Sequence, residues 1–206
     1  MQFQKFAAGV AVAAVVVSAG VVQAQDAFTK KPAEVRAGTY TLDPEHSKIT
    51  WFVNHLGFST YAGQFAGATG TLTLDPKAPA ASKLDVTVKA DDVGTLNAAL
   101  DKHLKSADFL DTAKFPTATF KATRIVVKGA NEADIHGDLT LRGVTKPIVI
   151  AAEFNQAGVN PLDKRYTVGF DGEAKIRRSE FGIAYALPAV GDEVTLKIEA
   201  EFKAAS

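Results

Sequence analysis

The 206-residue chain balances 23 basic against 23 acidic residues and carries four histidines and no cysteine. A near-neutral, well-mixed surface leaves no basic footprint for nucleic acid. Without cysteine there is no disulfide framework, thiolate nucleophile or thiolate metal site, so the fold must rest on packing and sheet hydrogen bonds.

Residues 1–24 read as a secretory signal peptide. Lys5 precedes a run rich in Ala, Val and Gly with no charge before Asp26, and Val22-Gln23-Ala24 supplies the small residues a signal peptidase needs. Gly9, Ser18 and Gly20 dilute the run, and no basic stop-transfer segment follows it. Cleavage after Ala24 would release about 180 residues to the periplasm, with no membrane span and enough chain for one domain. Residues 25–38 mix charges with Pro32 and Gly38 and show no periodicity. They are expected to form a flexible, exposed leader ahead of a single domain at 39–203.

From Thr39 onward the dominant period is two. In 47–55, Ile49, Trp51, Val53 and His55 share one face, which aligns a histidine with a tryptophan and two aliphatics. A long strand is expected at 61–75 and another at 84–89, where Leu84, Val86 and Val88 oppose Asp85, Thr87 and Lys89. The spacing changes at 95–105: Leu96, Leu100 and Leu104 lie four apart, with Thr95 or Asn97 available as N-cap, so one short amphipathic helix is expected there. Period two returns at 116–128 and at 134–142, where Ile135, Gly137, Leu139 and Leu141 oppose Asp134, His136 and Asp138. It continues at 146–156, 166–176 and 194–202, with turn residues between. Alternation of this kind marks antiparallel strands with one wet face.

Eight or nine such strands cannot leave an apolar face in water, and one helix cannot cover it. A sandwich or closure remains, and short meander connections favour closure. An eight-stranded barrel either fills with side chains or holds one small ligand. The inward stripe mixes Trp51, Phe65, Phe120, Phe170 and Phe202 with Gly70, Gly137, Gly172, Ala118, Ala122, Ala174 and Ala200. The small residues either leave an elongated cavity or accommodate curvature and neighbouring aromatics; the pattern alone allows both.

Several separated motifs occur in a specific order: Tyr40-x-x-Asp43-x-x-His46-Ser47, His55-Leu56-Gly57-Phe58-Ser59 and Gly63-x-Phe65. "DKHLKSADFLD", Phe115-Pro116-x-Ala118-x-Phe120, "GDLTLRGVTKP" and "RRSEFG" complete the set. Together, over 39–203, they resemble the YceI-like polyisoprenoid-binding proteins, with Leu110 and Trp51 as mild departures from the family pattern. The resemblance implies an all-β, eight-stranded antiparallel lipocalin-like barrel with one short helix. It also implies a prenyl lipid, quinone or similar amphiphile bound in an apolar cavity, with no other cofactor and no catalysis. The expected ligand-contact set is Ile49, Trp51, Val53, His55, Phe58, Phe65, Phe109, Phe120, Leu139, Phe170 and Phe181. A homodimer is left open.

Four histidines offer a rival account. His46 and His55 flank one strand and would lie roughly 30 Å apart along it, too far to share a metal. His46 follows Asp43-Pro44 in what reads as a turn stapled by side-chain hydrogen bonds. His55, at the strand's end, is either a core histidine with a partner or a headgroup contact at the barrel mouth. His103 and Asp108 are expected to tie the helix to the barrel, His136 to sit on the wet face, and Arg177 or Arg178 to form a surface ion pair or reach a headgroup. No metal site is expected. The alternatives are a fatty acid or amide ligand, an enzyme with His55 or His103 as base, and a partner-binding module with a filled barrel.

Overall fold

The computed structural model describes residues 28–205, so the signal-peptide expectation at 1–24 lies outside the described residues. The strands are β1 (Phe28–Thr29), β2 (Gly38–Leu42), β3 (Lys48–His55), β4 (Ser59–Phe65), β5 (Thr69–Leu74), β6 (Lys83–Lys89) and β7 (Val93–Gly94). After helix α1 (Ala98–Leu104) come β8 (Thr117–Val127), β9 (Glu132–Leu141), β10 (Val144–Val159), β11 (Tyr166–Arg177) and β12 (Val190–Ala204). Pairing runs β2–β5–β6–β8–β9–β10–β11–β12 and back to β2, every step antiparallel, which closes an eight-stranded barrel.

Three of the staves are bent. β2 and β3 form one long strand broken at 43–47, β4 and β5 break at 66–68, and β6 and β7 break at 90–92. The single strand expected at 61–75 is therefore two. Beyond the breaks, β12 pairs with β3, β3 with β4 and β4 with β7, so a three-stranded flap extends the wall at one end. Among the described residues the outer edge of β7 has no further strand beside it, and the segment from α1 to β8 packs there. Leu104, Phe109 and Leu110 pack there with Val93, Ile183, Trp51 and Phe65 into a second core cluster, apart from the main one around Tyr40, Leu72, Phe154, Val168 and Phe202. The helix thus closes one end of the barrel. Asn97 is its N-cap, accepting from the Leu100 N–H at 3.2 Å.

The segment after residue 27 is docked rather than free, which corrects the expectation of a flexible leader. β1 pairs with β10, Val35 is buried in the main core, and the Tyr40 hydroxyl donates to the Arg36 carbonyl. A single well-placed valine and two sheet residues suffice to anchor it, and neither produces a periodic pattern.

Glycine placement answers the question of the small residues. A Cβ on Gly63 would lie 2.2 Å from the Trp51 ring, and one on Gly137 would lie 2.4 Å from the Phe120 ring. These two glycines are seats for aromatics. Ala118, Ala174 and Ala200 instead line the cavity, as does Gly172, although a Cβ there would meet Ile150 at 3.1 Å, so both readings of the stripe are realised at different positions.

Candidate functional site: an apolar tunnel through the barrel

The barrel is not filled. A cavity of about 790 Å³ runs its length, within the range of small-ligand sites. Its middle is walled by inward positions of alternating strands: Ile49, Trp51 and Val53 of β3, Leu139 of β9, Ala174 of β11, and Leu196 and Ile198 of β12. Polar groups gather at the two ends. His55, His103 and Tyr185 stand at the helix end, and Ser82 and Asn131 at the far end, where the buried Ser82 hydroxyl has no partner among the described residues.

Of the expected contact set, Ile49, Trp51, Val53, His55, Phe65, Phe109, Phe120, Leu139 and Phe170 line this cavity. Two do not. Phe58 stands at the tip of the β3–β4 turn with 89% of its surface exposed, because the hairpin projects beyond the barrel wall. Phe181 is 1% exposed but packs behind the wall, in the short 3-10 turn Arg178–Phe181. Sequence reasoning missed Leu100, Ile183, Tyr185, Leu196 and Ile198 as lining residues. Alternation already placed Leu196 and Ile198 inward; Ile183 and Tyr185 lie in a loop, where no period marks them.

Each histidine has a distinct setting. The His55 imidazole is half-buried beside the Tyr61 ring, 6.0 Å between centroids, and makes no side-chain hydrogen bond among the described residues. It is a core position without a partner. His103 Nε2 lies 2.9 Å from Asp108 Oδ2, and its ring meets those of Phe109 and Tyr185 edge-on, each at 5.0 Å. His136, on the wet face of β9, lies 3.1 Å from the Arg124 guanidinium. His46 Nδ1 lies 2.7 Å from Asp43 Oδ2.

Asp43 is the centre of a staple at the β2–β3 break. Its carboxylate meets His46, the Glu45 N–H at 3.1 Å and the Lys203 ammonium at 2.7 Å, and Lys203 reaches on to Asp163 at 2.6 Å. Burial alone would raise the Asp43 pKa, but hydrogen bonds from Lys203, His46 and Glu45 outweigh it and hold it at about 2. The hydrogen bond and charge of Asp43 raise His46 above its ordinary value. Asp43, His46 and Glu201 bring potential ligand atoms within 4.8 Å of one another, but Lys203 already supplies the cation there.

Arg178 departs most from expectation. It is neither a surface ion pair nor a headgroup contact: at 5% exposure it donates to the carbonyls of Gly191, Ile183, Tyr185 and Val190, at 2.7 to 3.0 Å. It therefore shapes the loop that carries Ile183 and Tyr185 into the cavity wall. Arg142 makes a second tie, donating to Gly182 O at 2.7 Å and Ala107 O at 2.9 Å, which fastens that loop to the segment behind α1.

Comparison with known proteins places this architecture. Residues 40–202 match the model of the YceI-like domain. Protein YceI of Escherichia coli O157:H7 is 44% identical over 167 residues, covering 80% of this chain and 86% of that protein. The UPF0312 protein of Azotobacter vinelandii is 41% identical over 170 residues, 82% of this chain and 88% of its own. Among solved structures, Burkholderia cenocepacia BcnA superposes with TM-score 0.71 at 22% identity, over 78% of this chain and 98% of its own. A polyisoprenoid binding domain from Saccharophagus degradans, implicated in plant cell wall breakdown, superposes with TM-score 0.61 at 14% identity, over 82% of this chain and all of its own. With the family match spanning the whole closed barrel and the helix that caps it, the chain belongs to the YceI-like family.

Proposed function

We propose that this protein carries or sequesters a polyisoprenoid-type amphiphile, a prenyl lipid or quinone, in the barrel tunnel, without catalysis, after export to the periplasm. The observation that carries the reading is the tunnel: it runs from the helix end to the far end of the barrel, and its wall is predominantly apolar. The polyisoprenoid binding of the Saccharophagus domain is consistent with it.

The dimensions suit a chain. From Val194 to Phe202 the lining follows β12 for about 27 Å, or roughly 20 Å along the axis after strand tilt. An extended carbon chain advances at most ~1.25 Å per bond, so about sixteen backbone carbons fit. Each buried CH₂ is worth roughly 0.8 kcal/mol, so a five-carbon prenyl unit offers about 3–4 kcal/mol before ordering costs. Two or three units offer roughly 6–12 kcal/mol before those costs, and the four that sixteen backbone carbons amount to offer about 12–16, enough for about −8 kcal/mol, near micromolar affinity, after several kcal/mol of costs. His55, whose ring nitrogens have no hydrogen-bond partner among the described residues, would meet the headgroup at the helix end.

The chain has one tryptophan, Trp51, and it lines the tunnel. Titration with prenyl alcohols of increasing length should therefore change its emission saturably, at one ligand per chain. Affinity should rise with length to about sixteen backbone carbons and then level. Ala174→Phe, which fills the mid-tunnel, should weaken binding at least about tenfold while the circular dichroism spectrum stays unchanged. Absence of both a saturable signal and a thermal shift would refute the proposal.

The rival enzyme reading rests on the His103–Asp108 pair at the rim. Turnover of a hydrophobic ester that is lost in a folded His103→Ala variant would favour it.

A further inference from the structure

The two ends of the tunnel differ in a way the cavity does not require. At the helix end three loops meet: the β3–β4 turn, the stretch before α1, and the loop held by Arg178. Leu56 N–H donates to Ala189 O at 2.9 Å, and Tyr185 packs on His103 of α1, so the β3–β4 turn, the Arg178-held loop and α1 form one rim, with Leu96 just ahead of the helix. Exposed on it are Leu56 (50%), Phe58 (89%), Leu96 (107%) and Tyr185 (48%). Leu56 and Tyr185 also line the tunnel, so the exposed apolar surface is continuous with the cavity wall. Each loop is free of charge over a long stretch: no Lys, Arg, Asp or Glu occurs in 49–74, 93–100 or 181–191. The charges that flank the second and third stretches are Asp92, Asp101, Glu180 and Asp192, and Arg142 donates to Gly182 O within the third.

The far end is built otherwise. Its exposed apolar residues are Val127, beside Lys128, and Leu162 with Phe28, which share a shallow pocket next to Asp163, Lys164 and Arg165, while Asp75, Lys77 and Glu132 occupy the other turns. Single exposed apolar residues among charges are ordinary; a continuous uncharged rim around a cavity mouth marks an interaction surface.

We propose that the helix-end rim docks on the surface of a lipid bilayer, with Phe58 and Leu96 entering the headgroup–acyl boundary and Tyr185 at the headgroup level. The proposal rests on the lipid-carrying reading above. A hydrophobic ligand then passes between bilayer and tunnel without crossing water. A bilayer fits better than a charged partner because the rim offers neither sign of charge, and aromatic and aliphatic side chains at a loop tip are what interfacial insertion uses. Being uncharged, the surface should bind zwitterionic and anionic membranes alike and resist salt.

The test is flotation of the purified protein with phosphatidylcholine vesicles, with and without a minority of phosphatidylglycerol, at low and high salt. Comparison is with the double variant Phe58→Ser/Leu96→Ser, neither residue of which lines the tunnel. The wild type should float in every condition, and the variant should partition at least about tenfold more weakly. The variant should still take up a prenyl alcohol delivered in micellar detergent as the wild type does, but should accept it more slowly from vesicles. Wild type that does not float, floats only with anionic lipid at low salt, or floats equally well after substitution overturns the docking surface. So does a dimer in sedimentation that the double variant dissolves while neither protein floats, which would assign the rim to a second copy. Flotation that persists while micellar prenyl alcohol is refused leaves the docking surface standing and overturns the ligand reading instead.

Discussion

Arg178 is buried because four carbonyls converge on it, two from the loop after it and two from the start of β12, and among the described residues no carboxylate forms an ion pair with it. Burial lowers its pKa below the usual guanidinium value, but an arginine stays charged. Removing it strands those carbonyls, each costing about 1–3 kcal/mol where water cannot return. Arg178→Met should therefore destabilise the protein by about 3–5 kcal/mol in urea titrations. Arg178→Lys should recover less than half, since an ammonium cannot span carbonyls set around a planar fork. A loss below about 1 kcal/mol would mean the loop is held by its own packing. The Asp43 staple makes a pH prediction. A carboxyl held at about 2 contributes stability above its unfolded value, and that contribution fades as pH falls from about 4 towards 2. His46, raised above 6.5, contributes fully below that value, and its share is lost as pH rises through the folded pKa. Thermal midpoints recorded from acid to mildly alkaline pH should show both limbs. His46→Gln should abolish the alkaline limb and weaken the acid one, since Asp43 loses the imidazole that helps hold its pKa down, and Asp43→Asn should flatten both.

At the scale of elements, the flap β3–β4–β7 and α1 are what turn a barrel into a container with a lid. Their fit depends on Gly63, which lets the Trp51 ring lie flat against β4. Gly63→Ala should cost about 1–3 kcal/mol by overpacking and shift the Trp51 emission, because the ring must move toward the tunnel. An unchanged spectrum and melting point would show that β4 can yield instead. The staves were legible in the sequence because alternation follows directly from one wet and one dry face. Thus Leu139, Phe170, Leu196 and Ile198 stand where period two put them. The helix was legible from four-residue spacing, though its cap stayed open between Thr95 and Asn97, and Leu96, which began that spacing, lies outside it. The breaks at 43–47, 66–68 and 90–92 were not, since a bend in a long strand keeps the alternation on either side. Nor was the inward turn of Arg178, because nothing local distinguishes an arginine bound to carbonyls from one in water. Phe58 was misplaced for the related reason that a turn tip has no face.

At the scale of the molecule, the expected bifurcation between a packed barrel and a hollow one resolves to a cavity of about 790 Å³. A protein of marginal stability does not keep so large an apolar void without occupant at little cost, since cavities destabilise by roughly 24 cal/mol per Å³ where side chains could have filled them. Ligand and fold should then be coupled: saturating prenyl lipid at a hundred times its dissociation constant should add about 2.7 kcal/mol of stability. The most direct test of the account is to extract the protein, purified without detergent from its own host, with organic solvent and to weigh what emerges by mass spectrometry. The account predicts close to one molar equivalent of an isoprenoid lipid per chain, reduced severalfold in Ala174→Phe. Repeated preparations that yield no lipid, from protein that also fails to bind added prenyl lipid, would contradict it.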